Sequence, residues 1–491
     1  MKNISQKKNS IKLRNSIKHK HKLINKILQK SEDNKDKYKK YHNKLVSLMR
    51  TAERNFYHEQ LELNNQDLRK SWKIIKVIIG RNINPSNSQI EFEVNGCISS
   101  NTSIITNAFN TYFIDVGPKL ACNIKSNINP TSYVSGITSS IYIPDISEIE
   151  IRNVVSSLKN SSPGWDEIQP KMFKSFIDLY INPLTTLINM SIKQGVFPAE
   201  LKIAKVIPIF KTGNKKDISN YRPISVLSFF SKIFEKIMYN YLIGFITKHD
   251  ILYKFQFGFR KQYSTNHAII SLVEKINDAL YRGKVVIGVY LDLKKAFDTV
   301  DHSILLKKLY VYGIRGNILK WFKSYLETRQ QYVFINGTCS TRECVRCGIP
   351  QGSILGPILF ILYINDLSRA SKMLFPILFA DDTSVFIEGD TLEDTSQSLN
   401  NELQNITEWL LANKLTINLI KSHYMVFHRA RIKKQTFDIK LGKTIIKQVN
   451  YTKFLGVIID DQLKFTNHIA YIKKQNLQGH GYLNQSQEIY E

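Results

Sequence analysis

The chain has 491 residues, of which 43% are hydrophobic, enough for two or three folded units with sizeable cores. Its 69 Lys and Arg residues outnumber 41 Asp and Glu residues, and the net charge of +28 predicts a polyanionic partner, nucleic acid or an acidic membrane. A membrane-spanning helix needs about 18 consecutive apolar residues, and the chain has no such run, so nucleic acid is favoured. An N-terminus without the apolar core of a secretory signal predicts an intracellular protein.

The first 150 residues carry the weakest patterns. Residues 1–50 contain 16 Lys and Arg against 3 Asp and Glu, and residues 1–40 are predicted to be a flexible basic arm. Apolar residues then recur at helical spacing over 45–79, which predicts a helix. The stretch 82–147 is rich in Asn, Ser, Thr and Gly and is interpreted as a linker with little core of its own.

From residue 149 onward, helical and strand patterns alternate densely. The run 285–293 is almost continuously apolar and β-branched, which predicts a strand buried on both faces. Long helices between buried strands indicate an α/β or α+β core. Helices are predicted at 150–158, 224–246, 265–282, 303–312, 317–328, from near 353, and at 392–412. Strands are predicted at 203–211, 285–293, in the pair "QQYVFING" and "TRECVRCG", in a hairpin around 377–386, and near 424–427 and 454–459.

Three of the five cysteines form a C-x4-C-x2-C pattern that invites comparison with a zinc site. The three are Cys339, Cys344 and Cys347, and no fourth Cys or His lies at suitable spacing. Zinc usually takes four protein ligands in structural sites. The pattern therefore predicts buried or edge-strand thiols in a reducing environment.

Two adjacent carboxylates interrupt the apolar run "ILFADDTSVF". Asp381 and Asp382 would be costly there without a cation or strong donors, although a simple turn explains many Asp-Asp pairs. Asp292 ends the predicted strand "VVIGVYLD" and poses the same problem. Together the three predict an oxygen-only site suited to Mg²⁺. Two such ions, about 3.5–4 Å apart, activate a primer 3′-hydroxyl and stabilise leaving pyrophosphate in nucleotidyl transfer.

A series of motifs carries a family resemblance. In chain order they are "SPGWDEI", "AKVIPIFKTGNKKDISNYRPISVLS", "FGFRKQYSTNHAI", "VYLDLKKAFDTVDH", "GIPQGSILGPILFILYINDL", "LFADDTSVF", "NKLTINLIKSHYMVF" and "KFLGVIIDD". They resemble the reverse transcriptase of non-LTR retrotransposons, closest to the jockey-like group, over about residues 150–470 and more faintly back to about residue 40.

The resemblance implies an α+β right-hand polymerase fold with fingers and palm subdomains, a truncated thumb and a helical basic N-terminal extension. The implied domains are a basic arm (1–40), a helical extension with linker (41–148), the reverse transcriptase domain (149–470) and a divergent polar tail (471–491).

The same resemblance implies roles for residues of the catalytic centre. Asp292, Asp381 and Asp382 would hold two Mg²⁺ ions, or Mn²⁺, with help from the Leu293 carbonyl. Phe297 would lie under the incoming sugar and reject a ribose 2′-hydroxyl; an ordinary core aromatic fits its spacing equally well.

Further nucleotide-binding and primer-binding residues follow from the resemblance. Lys211 and Arg222 would hold the triphosphate, although they also fit a generally basic surface. Gln351 and Gly352 would pack under the nascent base pair, or simply form a turn, and Lys421 would be a proton donor to pyrophosphate. The primer grip would be "FLGV", which comprises Phe454, Leu455, Gly456 and Val457.

The implied function is RNA-directed DNA polymerisation, with an RNA template, a DNA primer and deoxyribonucleoside triphosphates as partners, in the nucleus or a ribonucleoprotein particle. The family's endonuclease pattern is missing from residues 1–150, so the primer nick is expected to come from elsewhere. The polar tail after "KFTNHIAYIKKQ" favours an alternative, a truncated and inactive nucleic-acid-binding remnant. A group II intron maturase or telomerase-like enzyme shares the catalytic blocks, but the wording "YRPIS…LDLKKAFDTVDH…FADD" fits the non-LTR elements better.

Overall fold

The structure, a computed structural model, describes residues 32–64, 70, 71, 74, 91–94, 96–122, 124–428 and 436–475. The chain forms two compact units, one made of Met1–Ser88 with Ile469–Glu491 and the other of Gln89–His468. Among the residues described, no helix combines the length and apolar character needed to cross a membrane.

The first unit contains one long helix, α1 (Glu32–Leu63). It begins inside the segment that the sequence analysis assigned to the basic arm, so residues 32–40 are helical, and the remainder of that arm lies outside the described residues. The helical spacing predicted over 45–79 is confirmed as far as Leu63, and most of 65–79 is likewise not described.

The second unit contains most of the helices and strands among the residues that the structure describes. Its helices are α2 (Thr102–Ala121), α3 (Glu148–Ser157), α4 (Pro170–Ser175), α5 (Ile177–Gln194), α6 (Phe229–Lys248), α7 (Thr265–Tyr281), α8 (His302–Val311), α9 (Gly316–Leu326), α10 (Leu355–Ile364) and α11 (Leu392–Ala412). Its strands are β1 (Phe92–Val94), β2 (Cys97–Ser99), β3 (Ile203–Phe210), β4 (Tyr221–Leu227), β5 (Val285–Leu291), β6 (Gln330–Ile335), β7 (Thr338–Cys339), β8 (Glu343–Cys344), β9 (Phe375–Phe379), β10 (Asp382–Gly389), β11 (His423–Phe427), β12 (Lys440–Leu441), β13 (Thr444–Ile445), β14 (Lys447–Gln448), β15 (Tyr451–Phe454) and β16 (Val457–Asp460).

The central sheet has the strand order β14-β11-β5-β10-β9. Every residue of β5 is buried, as its continuous apolar run predicts, and β5 pairs antiparallel with both β10 and β11. The rings of Phe386 and Phe427 pack directly against the backbone of β5 at Gly288. A Cβ at this position would lie 2.5 Å from the Phe386 ring and 3.3 Å from the Phe427 ring. Mixed helices and sheets confirm the α+β class in outline.

A second sheet has the order β4-β3-β6-β7, with β8 also pairing with β6. The sequence analysis assigned 224–246 wholly to a helix, and this is wrong at its start. Pro223, Ser225 and Leu227 are buried at alternate positions, the period of a strand, and the helix begins only after Ser228. The Ser228 Oγ accepts a hydrogen bond from the Phe230 amide at 3.2 Å and so caps α6.

The stretch interpreted as a linker instead contains the β1–β2 hairpin and the 20-residue helix α2. Asn101 caps α2 through its side-chain oxygen, which accepts from the Ser103 amide at 2.9 Å. Rings at Phe92, Phe109 and Phe113 pack with apolar residues of β3, β4 and β6 in one buried cluster. Some of the Asn residues that suggested a linker here cap or anchor a packed helix, since Asn107 and Asn110 both bond to Thr341.

Candidate active site

The β9–β10 hairpin presents the adjacent carboxylates at its turn. Phe379 pairs with Asp382, so Ala380 and Asp381 form a two-residue turn, and Ala380 takes a φ of 58°. The hairpin predicted from "ILFADDTSVF" is therefore confirmed. The bend lies between two buried apolar strands, which fixes the position of both acids on the sheet edge.

Strand register brings Asp292 to the same place. Leu291 pairs with Thr383 in the antiparallel β5–β10 ladder, so Asp292 directly follows the last paired residue of β5 and Asp382 directly precedes the first β10 residue that pairs with β5. Leu293 follows and forms an isolated bridge with Ile417. The carboxylates that the sequence analysis grouped therefore lie close enough for Asp292 and Asp381 to act electrostatically on Asp382.

The three carboxylates act on one another electrostatically. Partial burial and then the negative charges of Asp381 and Asp292 together raise the pKa of Asp382 from its ordinary value to about 6. Lys211 and Arg222 oppose this rise. A carboxylate whose pKa is raised by neighbouring negative charges marks a place where a cation would relieve repulsion.

The donors fit a hard divalent cation, since they are all carboxylate oxygens. In the described part of the chain, however, no three or more His, Cys, Asp or Glu side chains lie in an arrangement that could hold a metal ion. Mg²⁺ commonly uses one or two carboxylates and completes its shell with water and substrate phosphates, which is compatible with this arrangement.

The loop 416–422 wraps around Asp292, and the sequence analysis overlooked one of its residues. The Asn418 Nδ2 donates to Asp292 Oδ2 at 2.9 Å, and the Asn418 amide donates to the Asp292 carbonyl at 2.7 Å. The predicted residue Lys421 lies nearby, with its Nζ 4.0 Å from Asp292 Oδ2. Only the fold brings Asn418 to this carboxylate, so spacing in the sequence offered no signal for it.

Cations gather on the β3–β4 side of the site. Burial lowers the pKa of Lys211, and the charges of Arg222 and Lys421 lower it further, so these three groups share one region with the carboxylates. Lys295 is a fourth cation here that the sequence analysis did not single out. Its Nζ donates to the main-chain oxygens of Ser219 at 3.2 Å and Tyr221 at 3.3 Å, beside Arg222.

Phe297 is half-buried and stacks on a core ring. Its centroid lies 4.5 Å from that of Phe360 with an interplanar angle of 20°, and Phe360 is fully buried. The ring packs against the core, as an ordinary core aromatic does, and also stays partly exposed, so its role toward an incoming sugar stays a prediction.

The "IPQG" loop is held from two sides. The Gln351 Nε2 donates to Asp298 Oδ1 at 2.8 Å, and the Gln351 carbonyl accepts from the Ser225 amide at 2.7 Å. Gly352 has a φ of 119°, and a Cβ there would lie 2.5 Å from the Ser225 carbonyl oxygen. The buried Glu235 carboxylate accepts from the Ile354 amide at 2.6 Å and anchors the start of the next helix.

The predicted primer grip is a hairpin turn. Phe454 pairs with Val457, and Leu455 and Gly456 between them both have positive φ. Phe454 packs with Tyr290, ring centroids 6.0 Å apart. Tyr290 lies two residues before Asp292, so the hairpin packs against β5 near the end of the strand that leads to Asp292.

Comparison with known proteins agrees with this geometry. The family model described as "Reverse transcriptase (RNA-dependent DNA polymerase)" matches residues 213–459, about half of the chain. A probable RNA-directed DNA polymerase from transposon BS of Drosophila melanogaster is 30% identical over 342 residues, covering 66% of this chain and 37% of the relative. The RNA-directed DNA polymerase from mobile element jockey of the same organism is 28% identical over 337 residues, covering 66% and 36%.

A probable RNA-directed DNA polymerase from transposon X-element is 29% identical over 326 residues, covering 65% of this chain and 36% of the relative. This chain thus spans little more than a third of the length of these three relatives. The resemblance to non-LTR elements of the jockey-like group is confirmed. The chain belongs to the reverse transcriptase (RNA-dependent DNA polymerase) family.

Proposed function

We propose that this chain is an RNA-directed DNA polymerase that extends a DNA primer along an RNA template. The observation that carries the proposal is the clustering of Asp292, Asp381 and Asp382 where β5 ends and β10 begins, close enough for the first two to act electrostatically on the third. The names of the relatives, each an RNA-directed DNA polymerase of a transposon or mobile element, support the choice of template and product.

The polymerase unit is assigned to Gln89–His468, with the central sheet as palm and the β3–β4–β6 sheet as fingers. Acids lie on the palm sheet and cations on the fingers sheet, so a triphosphate would bridge the two. Lys211 and Arg222 bind its phosphates, since fixed positive charge suits that role. Gln351 and Gly352 support the nascent base pair, and the Phe454–Val457 hairpin supports the primer end.

Mg²⁺ held by Asp292, Asp381 and Asp382 would supply charge neutralisation and activation of the primer 3′-hydroxyl. The chain's own residues prepare that site. Asn418 orients the Asp292 carboxylate, and the Asp381 turn is fixed by its two strands. Lys421 lies close enough to Asp292 to share the field of the site, and in this proposal it supplies a proton to the leaving pyrophosphate.

Phe297 is proposed to exclude a ribose 2′-hydroxyl. Its partly exposed ring lies five residues after Asp292, and its stack on Phe360 keeps it from yielding. Rigid exclusion of this kind gives about tenfold preference for each 1.4 kcal/mol of clash.

The test is single-nucleotide extension of a DNA primer on an RNA template by the full chain, wild type and Asp381→Asn. We expect the substitution to reduce extension at least about 100-fold, because it removes a direct cation ligand. Binding of the same primer–template should change little, because many distributed Lys and Arg residues contribute to it.

Asp390→Asn is the matched control. Asp390 follows the far end of β10 and pairs with Lys284 at 2.6 Å on the surface, so its loss should leave extension intact. Equal loss of binding and extension in Asp381→Asn would identify a structural acid. Binding without extension by the wild-type chain would instead favour the inactive nucleic-acid-binding remnant.

A further inference from the structure

The segment "FQFGFR", Phe255 to Arg260, contains an exposed ring in an unusual backbone conformation. Phe259 has a φ of 55° and keeps 47% of its surface exposed. A bulky side chain at positive φ is strained, and an exposed phenylalanine gains little from burial in return. Strain of this kind persists only where the surroundings fix the residue.

The chain on the N-terminal side of Phe259 is locked to the catalytic turn. Gln256 forms a parallel bridge with Leu378, and its buried Oε1 accepts from the Gly258 amide at 2.9 Å and from the Ala380 amide at 3.3 Å. A Cβ on Gly258 would lie 2.2 Å from the Ala380 nitrogen. Main chain thus touches main chain here, and Phe259 is tied to the turn that carries Asp381.

The C-terminal side is anchored as well. The Arg260 Nη1 donates to the carbonyls of Tyr253 at 3.1 Å and Gln256 at 3.2 Å. Its guanidinium lies over the Tyr263 ring, 4.1 Å from the centroid. Contacts on both sides therefore hold the strained residue in place.

The ring of Phe259 reaches the proposed sugar-contacting ring. The centroids of Phe259 and Phe297 lie 6.0 Å apart with an interplanar angle of 86°, an edge-to-face pair. Phe297 thus has two aromatic contacts of different geometry, the buried stack on Phe360 and the exposed contact with Phe259.

We propose that Phe259 is a positioning residue that fixes the Phe297 ring and thereby sets how strongly the site prefers deoxyribonucleotides to ribonucleotides. The inference rests on the proposed polymerase function and adds a specificity residue to it. Because Gln256 and Gly258 link Phe259 to the catalytic turn, the exclusion of the 2′-hydroxyl and the placement of Asp381 depend on the same segment.

The experiment is a double-mutant cycle with Phe259→Ala, Phe297→Val and the double variant in the full chain. The readout is the ratio of kcat/KM for a deoxyribonucleotide to that for the matching ribonucleotide, in single-nucleotide primer extension. We expect Phe259→Ala to lower the ratio roughly two- to tenfold, the effect of losing one aromatic pair, because ribonucleotide incorporation rises relative to deoxyribonucleotide incorporation. Phe297→Val should lower the ratio further, and the double variant should match Phe297→Val because the two rings act as one unit.

Phe259→Gly protects the test against misfolding, since glycine adopts the positive φ without strain and still removes the ring. Phe176→Ala is the matched control, a phenylalanine 50% exposed at the junction of α4 and α5. An unchanged ratio in both Phe259 variants, or additive effects in the double variant, would overturn the inference.

Nucleotide binding to a primer–template that ends in a 2′,3′-dideoxynucleotide separates this inference from the proposed function. If the chain binds nucleotide at this blocked primer end but never extends a normal primer, the proposed polymerase activity is refuted. The role of Phe259 is still decided in that case, by comparing the ratio of deoxyribonucleotide to ribonucleotide affinity in the wild-type chain and in the Phe259 variants. A chain that binds neither nucleotide refutes both.

Discussion

Replacing Asn418 with alanine should slow nucleotide incorporation while leaving primer–template binding intact. Asn418 donates one side-chain and one main-chain hydrogen bond to Asp292, at 2.9 Å and 2.7 Å. Alanine removes only the side-chain bond, so the loop 416–422 keeps its main-chain anchor. The Asp292 carboxylate is then free to rotate away from the orientation that the Asn418 side chain fixes.

The magnitude follows from the kind of bond that is lost. A hydrogen bond to a charged acceptor contributes roughly 1.5–3 kcal/mol in a buried setting. The Asp292 side chain is 41% exposed, so solvent weakens the bond and about 1–2 kcal/mol is the better figure. At about 1.4 kcal/mol per tenfold change, kcat should fall roughly 5- to 30-fold.

Single-turnover extension of the full chain, with nucleotide and Mg²⁺ varied independently, measures this effect. We expect the fall in kcat with a higher Mg²⁺ requirement, because the misplaced carboxylate binds the cation less well. Asn317→Ala is the control, since the Asn317 Nδ2 donates at 2.7 Å to the Lys193 carbonyl on another surface. An Asn418→Ala enzyme with unchanged kcat and Mg²⁺ requirement would show that Asp292 needs no such support.

Two further predictions concern stability. The pKa of Asp382 is raised to about 6, so the folded chain binds a proton at this carboxyl more tightly than the unfolded chain does. Protonation of Asp382 therefore stabilises the fold. This stabilisation is fully present below about pH 4 and is lost as the pH rises through 6. Thermal unfolding without divalent cations should show that the free energy of unfolding falls by about 1 kcal/mol over this pH range, after allowance for the exposure of the side chain. The Asp382→Asn variant should lack that fall. Equal pH dependence in both proteins would contradict the coupling. Gly117→Ala should destabilise the chain by about 1–3 kcal/mol, because its Cβ would lie 2.2 Å from the Asp298 carbonyl oxygen and 2.5 Å from the Cys347 Sγ. Gly136→Ala, where the nearest atom is 3.8 Å away, is the control, and similar unfolding temperatures for the two variants would show that α2 can shift without cost.

The sequence predicted those elements whose own pattern is strong. The strand at 285–291 and the helix Leu392–Ala412 were found with nearly correct bounds, because each has a long run at one clear period. The turn that carries Asp381 and Asp382 was found because buried apolar flanks make paired acids conspicuous.

The parts that were missed depend on distant contacts. Helix α2 was interpreted as linker because its Asn and Thr residues become satisfied only on packing; the buried Asn110 donates to the Thr341 carbonyl at 2.9 Å. Strand β4 was absorbed into the following apolar helix, since periodicity alone does not separate a short strand from the helix after it. Asn418 and Lys295 acquire their roles only through contacts with residues far away in sequence or on another sheet.

The order of strands in the central sheet has a consequence for synthesis of the chain. Both neighbours of β5, namely β10 and β11, are translated after it. Until they emerge from the ribosome, a wholly apolar strand has both edges open, and such a strand is a template for pairing with other chains. The nascent polypeptide therefore passes through a prolonged aggregation-prone stage, in which Asp292 is not yet joined by Asp381 and Asp382, and slow non-local pairing must finish before the three carboxylates come together.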